Sequence, residues 1–295
     1  MLTRLFGQTG LRVTPLGFGA MHLNDGRVSE AEAGRMLNAV LDAGVNLIDT
    51  ARGYGLSEER IGRHLAHRRH EFVLSTKVGY GIPGVPDWTH ACILAGVDAA
   101  LARLRCEQLD IVHLHSCPLL VLKRGEVTAA LEACATAGKV RVIAYSGENA
   151  ELDFALHSGR FASVQTSISL CDQANLGERL PALQARGLGV IAKRPIAGAV
   201  WQRTSRPEDH AEGEYWDRWQ AMGLADLPHE GSWNEVALRF TAHCAGVASS
   251  IVGTRDLAHF QQNLAWVEKG PLPPELLDQL QAAFWAHDQG WCGLI

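Results

Sequence analysis

The sequence predicts an α/β chain folded as a (β/α)8 TIM barrel, with a β-hairpin at its amino terminus and a long loop before the last strand. Three observations carry that reading. Eight short runs rich in β-branched and aliphatic residues recur along the chain, at 13–19 (VTPLGFG), 45–50 (VNLIDT), 71–77 (EFVLSTK), 109–115 (LDIVHLH), 139–146 (KVRVIAYS), 161–167 (FASVQTS), 188–194 (LGVIAKR) and 248–254 (ASSIVGT). Each is nearly all apolar and does not alternate, the pattern of parallel strands covered by helices on their outer side. Helical patterns lie between them at a repeat of roughly 25 to 40 residues, except that about 60 residues precede the last run, which suits a barrel with one extended loop.

The helix signals agree with this rhythm. Ser29 and Glu32 form a capping box before an apolar run that stops at Gly44. Thr89 is placed to cap a long helix to Arg105, Gly138 and Gly187 to end helices, and Ser232 with Glu235 to form a second box before a helix ending near Gly246. The opening RLFGQTGLRV reads as a hairpin with a Gln-Thr-Gly turn that plugs the barrel bottom. In the long loop, Trp201 to His229, the residues Trp201, Tyr215, Trp216 and Trp219 either cover a ligand or pack on the barrel. With no linker or low-complexity tract, residues 1–295 are expected to be one domain.

Bulk properties exclude several function classes. Apolar residues make up 47% and charged residues 20% of the chain, the balance of a globular protein with a sizeable core. A net charge of -5 without a long Lys/Arg run argues against nucleic acid as a partner. The start lacks the apolar core of a signal peptide and no stretch is long enough for a membrane span, so a cytoplasmic protein without a membrane partner is expected, as a monomer or small homo-oligomer. The seven cysteines are scattered and never form a C-x-x-C pair, which reads as reduced thiols and not as a disulfide frame or zinc site.

Unusual polar residues end the apolar runs: Asp49, Lys77, His115, Ser146, Gln165, Lys193 and Arg194. In a (β/α)8 barrel these ends converge on the face that carries active sites. Singly, Asp49 also fits a helix cap, Lys77 a snorkelling side chain and His115 a structural histidine. Together, with Tyr54 five residues after Asp49, they supply one chemistry. A buried ammonium beside a tyrosine hydroxyl favours the phenolate and makes the hydroxyl a useful acid. Tyr54 is then the proton donor and Lys77 its tuner, while Asp49 keeps Lys77 charged and His115 orients the substrate oxygen. The hydride must come from a cofactor.

The stretch GVNLIDTARGYGLSEERIG resembles a segment of the aldo-keto reductase family, Gly-x-Asn-x-x-Asp-Thr-Ala followed by Tyr-Gly-x-Ser-Glu, and the resemblance runs over essentially the whole chain. It implies Asp49 and Tyr54 as catalytic residues, Lys77 from STK as the strand-end lysine, and His115 from ALARLRCEQLDIVHLHSCP as the catalytic histidine. His113 lies deeper on the same strand, and the Ser, Cys and Pro after His115 mark the strand end.

The resemblance also implies NADP(H) in preference to NAD(H), with no metal. Ser146 and Gln165 match residues that hold the nicotinamide. The Asn that follows the family's Ser is Gly147 here, with Asn149 close by as a substitute or as a turn residue. Lys193 and Arg194 stand before Pro195 and Ile196 where the family commonly has Tyr-Ser-Pro-Leu, replacing an aromatic platform by cations that pack on the ring or reach the pyrophosphate. Met21 and Gly253 are further cofactor positions, Thr254 and Arg255 suit a 2'-phosphate, Gln262 and Asn263 face the adenine, and His259 stands where many members have Arg. No G-x-G-x-x-G opens a helix, which counts against a Rossmann domain.

The expected reaction is reduction of a small-molecule carbonyl, an aldehyde or ketone, to an alcohol. The alternative is an NADPH-binding regulatory or sensor subunit with little turnover. A metal-dependent hydrolase built on Asp49, His113 and His115 is a third reading, opposed by Lys77, Ser146 and Gln165, which are poor ligands. Met21, His22, Tyr80, Trp88, Cys117 and Trp201 are expected to line the substrate pocket and to favour an apolar or flat-faced compound.

Overall fold

The computed structural model describes residues 2–24 and 26–295. Two short strands, β1 (Arg4–Leu5) and β2 (Arg12–Val13), pair antiparallel as the expected hairpin. The eight apolar runs then form β3 (Leu16–Gly19), β4 (Leu47–Asp49), β5 (Val73–Val78), β6 (Leu109–His115), β7 (Val140–Ser146), β8 (Ser163–Ser167), β9 (Gly189–Lys193) and β10 (Ser249–Val252). They close into a parallel barrel in chain order, with β10 returning to β3.

The connecting helices are α1 (Glu30–Asp42), α2 (Ser57–Leu65), α3 (His90–Leu104), α4 (Leu119–Arg124), α5 (Glu126–Thr136), α6 (Asn149–Ser158), α7 (Ala174–Gly177), α8 (Arg179–Ala185), α9 (His210–Met222), α10 (Trp233–Ala242), α11 (Leu257–Glu268) and α12 (Pro274–His287). The box at Ser29 and Glu32 closes reciprocally, and Thr89 caps α3 through the Cys92 N–H. At α10 only half of the expected box forms. Ser232 accepts from the Glu235 N–H, but the Glu235 carboxylate is drawn to Arg239 and Lys269, at 3.0 and 2.8 Å, because two cations compete better than one backbone N–H. That helix ends at Ala242, short of Gly246.

The hairpin closes the barrel bottom. Phe6 is fully buried among Leu47, Ile111, Val142 and Ile191, and a Cβ on Gly189 would come within 2.7 Å of its ring. Burial of one such ring contributes roughly 1.5–3 kcal/mol. A larger apolar layer fills the space between strands and helices.

The segment from Trp201 to His229, read from sequence as a loop, contains the helix α9. Asp209 caps it by accepting from the Glu212 N–H, so the D-x-x-E spacing was the missed signal. Its Tyr215, Trp219 and Met222 pack with Phe240, Leu280 and Phe284 in a second apolar cluster. Trp201 donates to Asn234 at 2.8 Å and lies beside Trp219. The three tryptophans Trp201, Trp216 and Trp219 therefore pack on the barrel, while α9 turns Asp209, Ala211, Glu212 and the edge of Tyr215 toward the cavity described below.

Candidate active site

Strand register assembles the site. Ser146 pairs with His115 on one side and Gln165 on the other, so three polar residues stand shoulder to shoulder at the carboxyl ends of β6, β7 and β8. Two strands round from β6, Asp49 at the end of β4 is level with Ser75 on the intervening β5. Lys77 lies beyond, buried, and its Nζ donates to Asp49 Oδ2 at 2.6 Å and to the Thr50 carbonyl at 2.8 Å. Asp49 Oδ1 accepts from Ser75 Oγ at 2.7 Å and from Gln165 Nε2 at 2.9 Å, and Gln165 Oε1 accepts from Ser146. The carboxylate is thus saturated by donors, the condition under which a buried charge is tolerated.

Tyr54 follows Asp49 in the connection to α2, and its ring centroid lies 5.0 Å from Lys77 Nζ. Burial alone would pull the Lys77 ammonium down, but the charges of Asp49 and Tyr54 outweigh it and leave Lys77 raised above its ordinary value. The ring of His115 stands edge-on to Tyr54 at 6.0 Å. Burial, with the Lys77 charge adding, pushes His115 down to about 3, so it is neutral near pH 7. Its Nδ1 lies 2.7 Å from the Tyr80 hydroxyl, whereas His113 sits a layer deeper against Ser75 at 3.1 Å.

Asp49, Tyr54, His115, Ser146, Gln165, Lys193, Arg194, Pro195, Ile196, Met21 and Gly253 all face one cavity of about 480 Å³. His22 and Gly253 also belong to a second cavity of about 760 Å³ lined by Thr254, Arg255 and His259, together with Arg27 and Arg35. Gln262 and Asn263, expected at the adenine, line neither cavity. Of the expected substrate-pocket residues, Met21 and His22 line the first cavity. Tyr80, Trp88, Cys117 and Trp201 do not, since Cys117 is in the core and the rings pack on one another.

The departures near the strand ends have physical reasons. A Cβ at Gly147 would collide with the Tyr145 hydroxyl and come 2.7 Å from its Cζ, so a larger residue has no room there. Asn149 exchanges two hydrogen bonds with the Gly293 backbone, at 2.9 and 2.8 Å. Arg194 donates to the Leu294 carbonyl at 2.6 Å and Arg218 to that of Cys292 at 2.7 Å. These three side chains hold residues 292–294 as a strap beside the cavity. Lys193 pairs with the fully buried Glu148 at 2.9 Å, which also accepts from Thr166 and the Ser167 N–H. Neither cation lies outward in solvent, and the partners of Lys193 and Arg194 were not legible because they come from distant segments.

Residues 15–284 match the Aldo/keto reductase family, and the chain belongs to that family. Relatives that it matches over most of their length include dehydrogenases and reductases. It is 27% identical to L-galactose dehydrogenase from Arabidopsis thaliana, over 95% of this chain and 93% of the relative. It is 28% identical to 6-dehydroglucose reductase from Novosphingobium aromaticivorans, over 88% of each. The holo form of an aldo-keto reductase from Bacillus halodurans superposes with a TM-score of 0.84 at 28% identity, covering 96% of both chains. No helix among the described residues is long and apolar enough to cross a membrane.

Proposed function

We propose that this protein is a single-domain, NADP(H)-dependent reductase of aldehydes or ketones. The observation that carries the proposal is the buried Lys77–Asp49 pair lying under Tyr54, with His115 facing Tyr54 across the same cavity. A nicotinamide nucleotide fits the residues present. Ser146 and Gln165 offer a hydroxyl and an amide at the cavity floor. The two cavities share His22 and Gly253, giving an extended cleft, and Arg27, Arg35, Arg255 and His259 line the far part with groups suited to phosphate. A nicotinamide nucleotide held there would supply the hydride for the carbonyl carbon.

The chain's own residues manage the proton. Tyr54 donates its hydroxyl hydrogen to the carbonyl oxygen as negative charge develops there, and Lys77 beside it stabilises the phenolate left behind. Asp49 holds Lys77 charged and in place. His115, neutral, donates a hydrogen bond to the same oxygen, a contribution of about 3 kcal/mol in sites of this kind. Water returns a proton to Tyr54.

Tyr80, Trp88 and Trp201 stand outside the cavity, while Lys193, Arg194, Asp209 and Glu212 line its wall beside Tyr215, and these charged groups support a polar, hydroxylated carbonyl compound as the substrate. The sugar names of two relatives support this. The test is a fluorescence titration with NADPH and NADH, followed by loss of nicotinamide absorbance with a panel of aldehydes and aldoses. Tight NADPH binding with turnover is expected. Binding without turnover would favour a regulatory subunit, and no binding would overturn the proposal.

A further inference from the structure

Tyr80 was read from sequence as a pocket residue, yet it stands behind the site. It follows β5 by two residues, in a loop pinned by Arg52 to the Gly81 carbonyl at 2.7 Å and by the Gly81 N–H to Asp87 at 2.9 Å. Gly79, with φ 144°, leaves the space that the Trp88 indole fills, and Trp88 meets the Tyr80 ring at 5.9 Å. On its other side Tyr80 stacks on His115, centroids 5.4 Å apart and planes 25° apart, with the hydroxyl 2.7 Å from Nδ1. His115 reaches the cavity and Tyr80 does not.

We infer that Tyr80 is a positioning residue for carbonyl reduction: its hydroxyl donates to Nδ1 of His115 and fixes the imidazole in the tautomer that carries its hydrogen on Nε2, facing the substrate oxygen. The inference rests on the reductase reading above. A neutral imidazole has one donor and one acceptor nitrogen, and the partner of one decides the role of the other. His115 is held neutral by its burial and by Lys77, and burial also raises Tyr80, which keeps its hydrogen.

Two arrangements satisfy the short contact. If Nδ1–H donated to the phenol oxygen, the Tyr80 hydrogen would find no other acceptor among the described residues, and the Nε2 lone pair would face the substrate's oxygen lone pairs. If Tyr80 donates, its hydrogen is satisfied and Nε2–H becomes the donor that charge development on oxygen needs. Among the described residues Nε2 has no hydrogen-bond partner of its own, which leaves it available to a ligand.

Tyr80→Phe removes the donor and keeps the stack between Trp88 and His115. In the full-length, 15N-labelled protein, with the His115 signals assigned by comparison with His115→Gln, the unmodified chain should show a protonated Nε2 and an unprotonated, hydrogen-bonded Nδ1. In Tyr80→Phe the ring should move toward a mixture with the Nδ1–H form. Turnover should fall on the order of tenfold, a fraction of what removal of an oxyanion donor costs, while NADPH affinity and the melting temperature hold. An Nδ1–H tautomer in the unmodified protein would overturn the inference. So would lost turnover with an unchanged tautomer, or a changed tautomer with full turnover. Absence of turnover by the unmodified protein with every carbonyl tried would overturn the reductase reading and Tyr80's role in it, while the ring shifts still decide the hydrogen bond.

Discussion

Lys77 Nζ lies 2.6 Å from Asp49 Oδ2, with both side chains almost wholly buried. A pair so placed is held by each partner's charge, and neutralising one leaves the other stranded in a medium that solvates it poorly. Asp49→Asn should therefore cost about 3 kcal/mol near neutral pH, read from the denaturant midpoint. Lys77 is raised in the folded protein, so its contribution is fully present below the ordinary lysine value of about 10.4 and is lost as pH rises through the folded value. The gap between the unmodified protein and Asp49→Asn should be greatest near neutral pH and narrow as pH rises toward and beyond about 10.4, because Lys77 without Asp49 gives up its proton more easily. A gap that instead widened there would contradict this account of the pair.

Tyr54→Phe keeps the ring beside Lys77 and removes the hydroxyl. Turnover should drop by roughly 100-fold or more, with NADPH affinity nearly unchanged in the fluorescence titration. Loss of nucleotide binding would make Tyr54 a structural residue instead.

Asp172 is buried, accepts from the Tyr215 hydroxyl at 3.1 Å, and leaves its Oδ1 without a partner among the described residues. Burial, with the Glu148 carboxylate adding, pushes it up to about 7. A carboxyl raised on folding gives stability that is fully present below the unfolded value and is lost as pH rises through the folded one. At about 1.4 kcal/mol per pH unit, stability should decline between about pH 4 and 7. Asp172→Asn should be close to neutral at pH 4 and stabilising by about 2 kcal/mol or more at pH 8. Equal effects at the two pH values would show that Asp172 does not titrate there.

Asn149 holds the strap at Gly293 by two hydrogen bonds, one in each direction. Asn149→Ala should destabilise by about 1–2 kcal/mol and speed amide exchange at residues 292–294 while the barrel strands stay protected. Unchanged exchange would mean that Arg194 and Arg218 suffice to hold it.

The barrel was legible because its strands announce themselves. VNLIDT, LDIVHLH and the other runs are apolar on both faces, and such runs separated by capped helices have few ways to be covered except by closing on themselves. Asp49, Lys77, His115, Ser146 and Gln165 stood out for the same reason, as polar residues ending apolar strands, and register then sets them side by side.

Other features depend on segments far apart in the chain. The bonds from Arg194 to Leu294 and from Asn149 to Gly293 span 100 and 144 residues, and nothing local in KRP or GEN signals a partner there. The stack of Tyr80 on His115, the pairing of Lys193 with Glu148 and the filling of Gly147's side-chain space by Tyr145 are likewise decided by how loops meet over the barrel mouth. By itself the sequence determined the periodic strands, their caps and the polar residues at their ends, because those follow from local propensity and burial. Only the tertiary structure decided which of those polar side chains face the cavity and which bind one another, because that turns on distances between segments that no local pattern encodes.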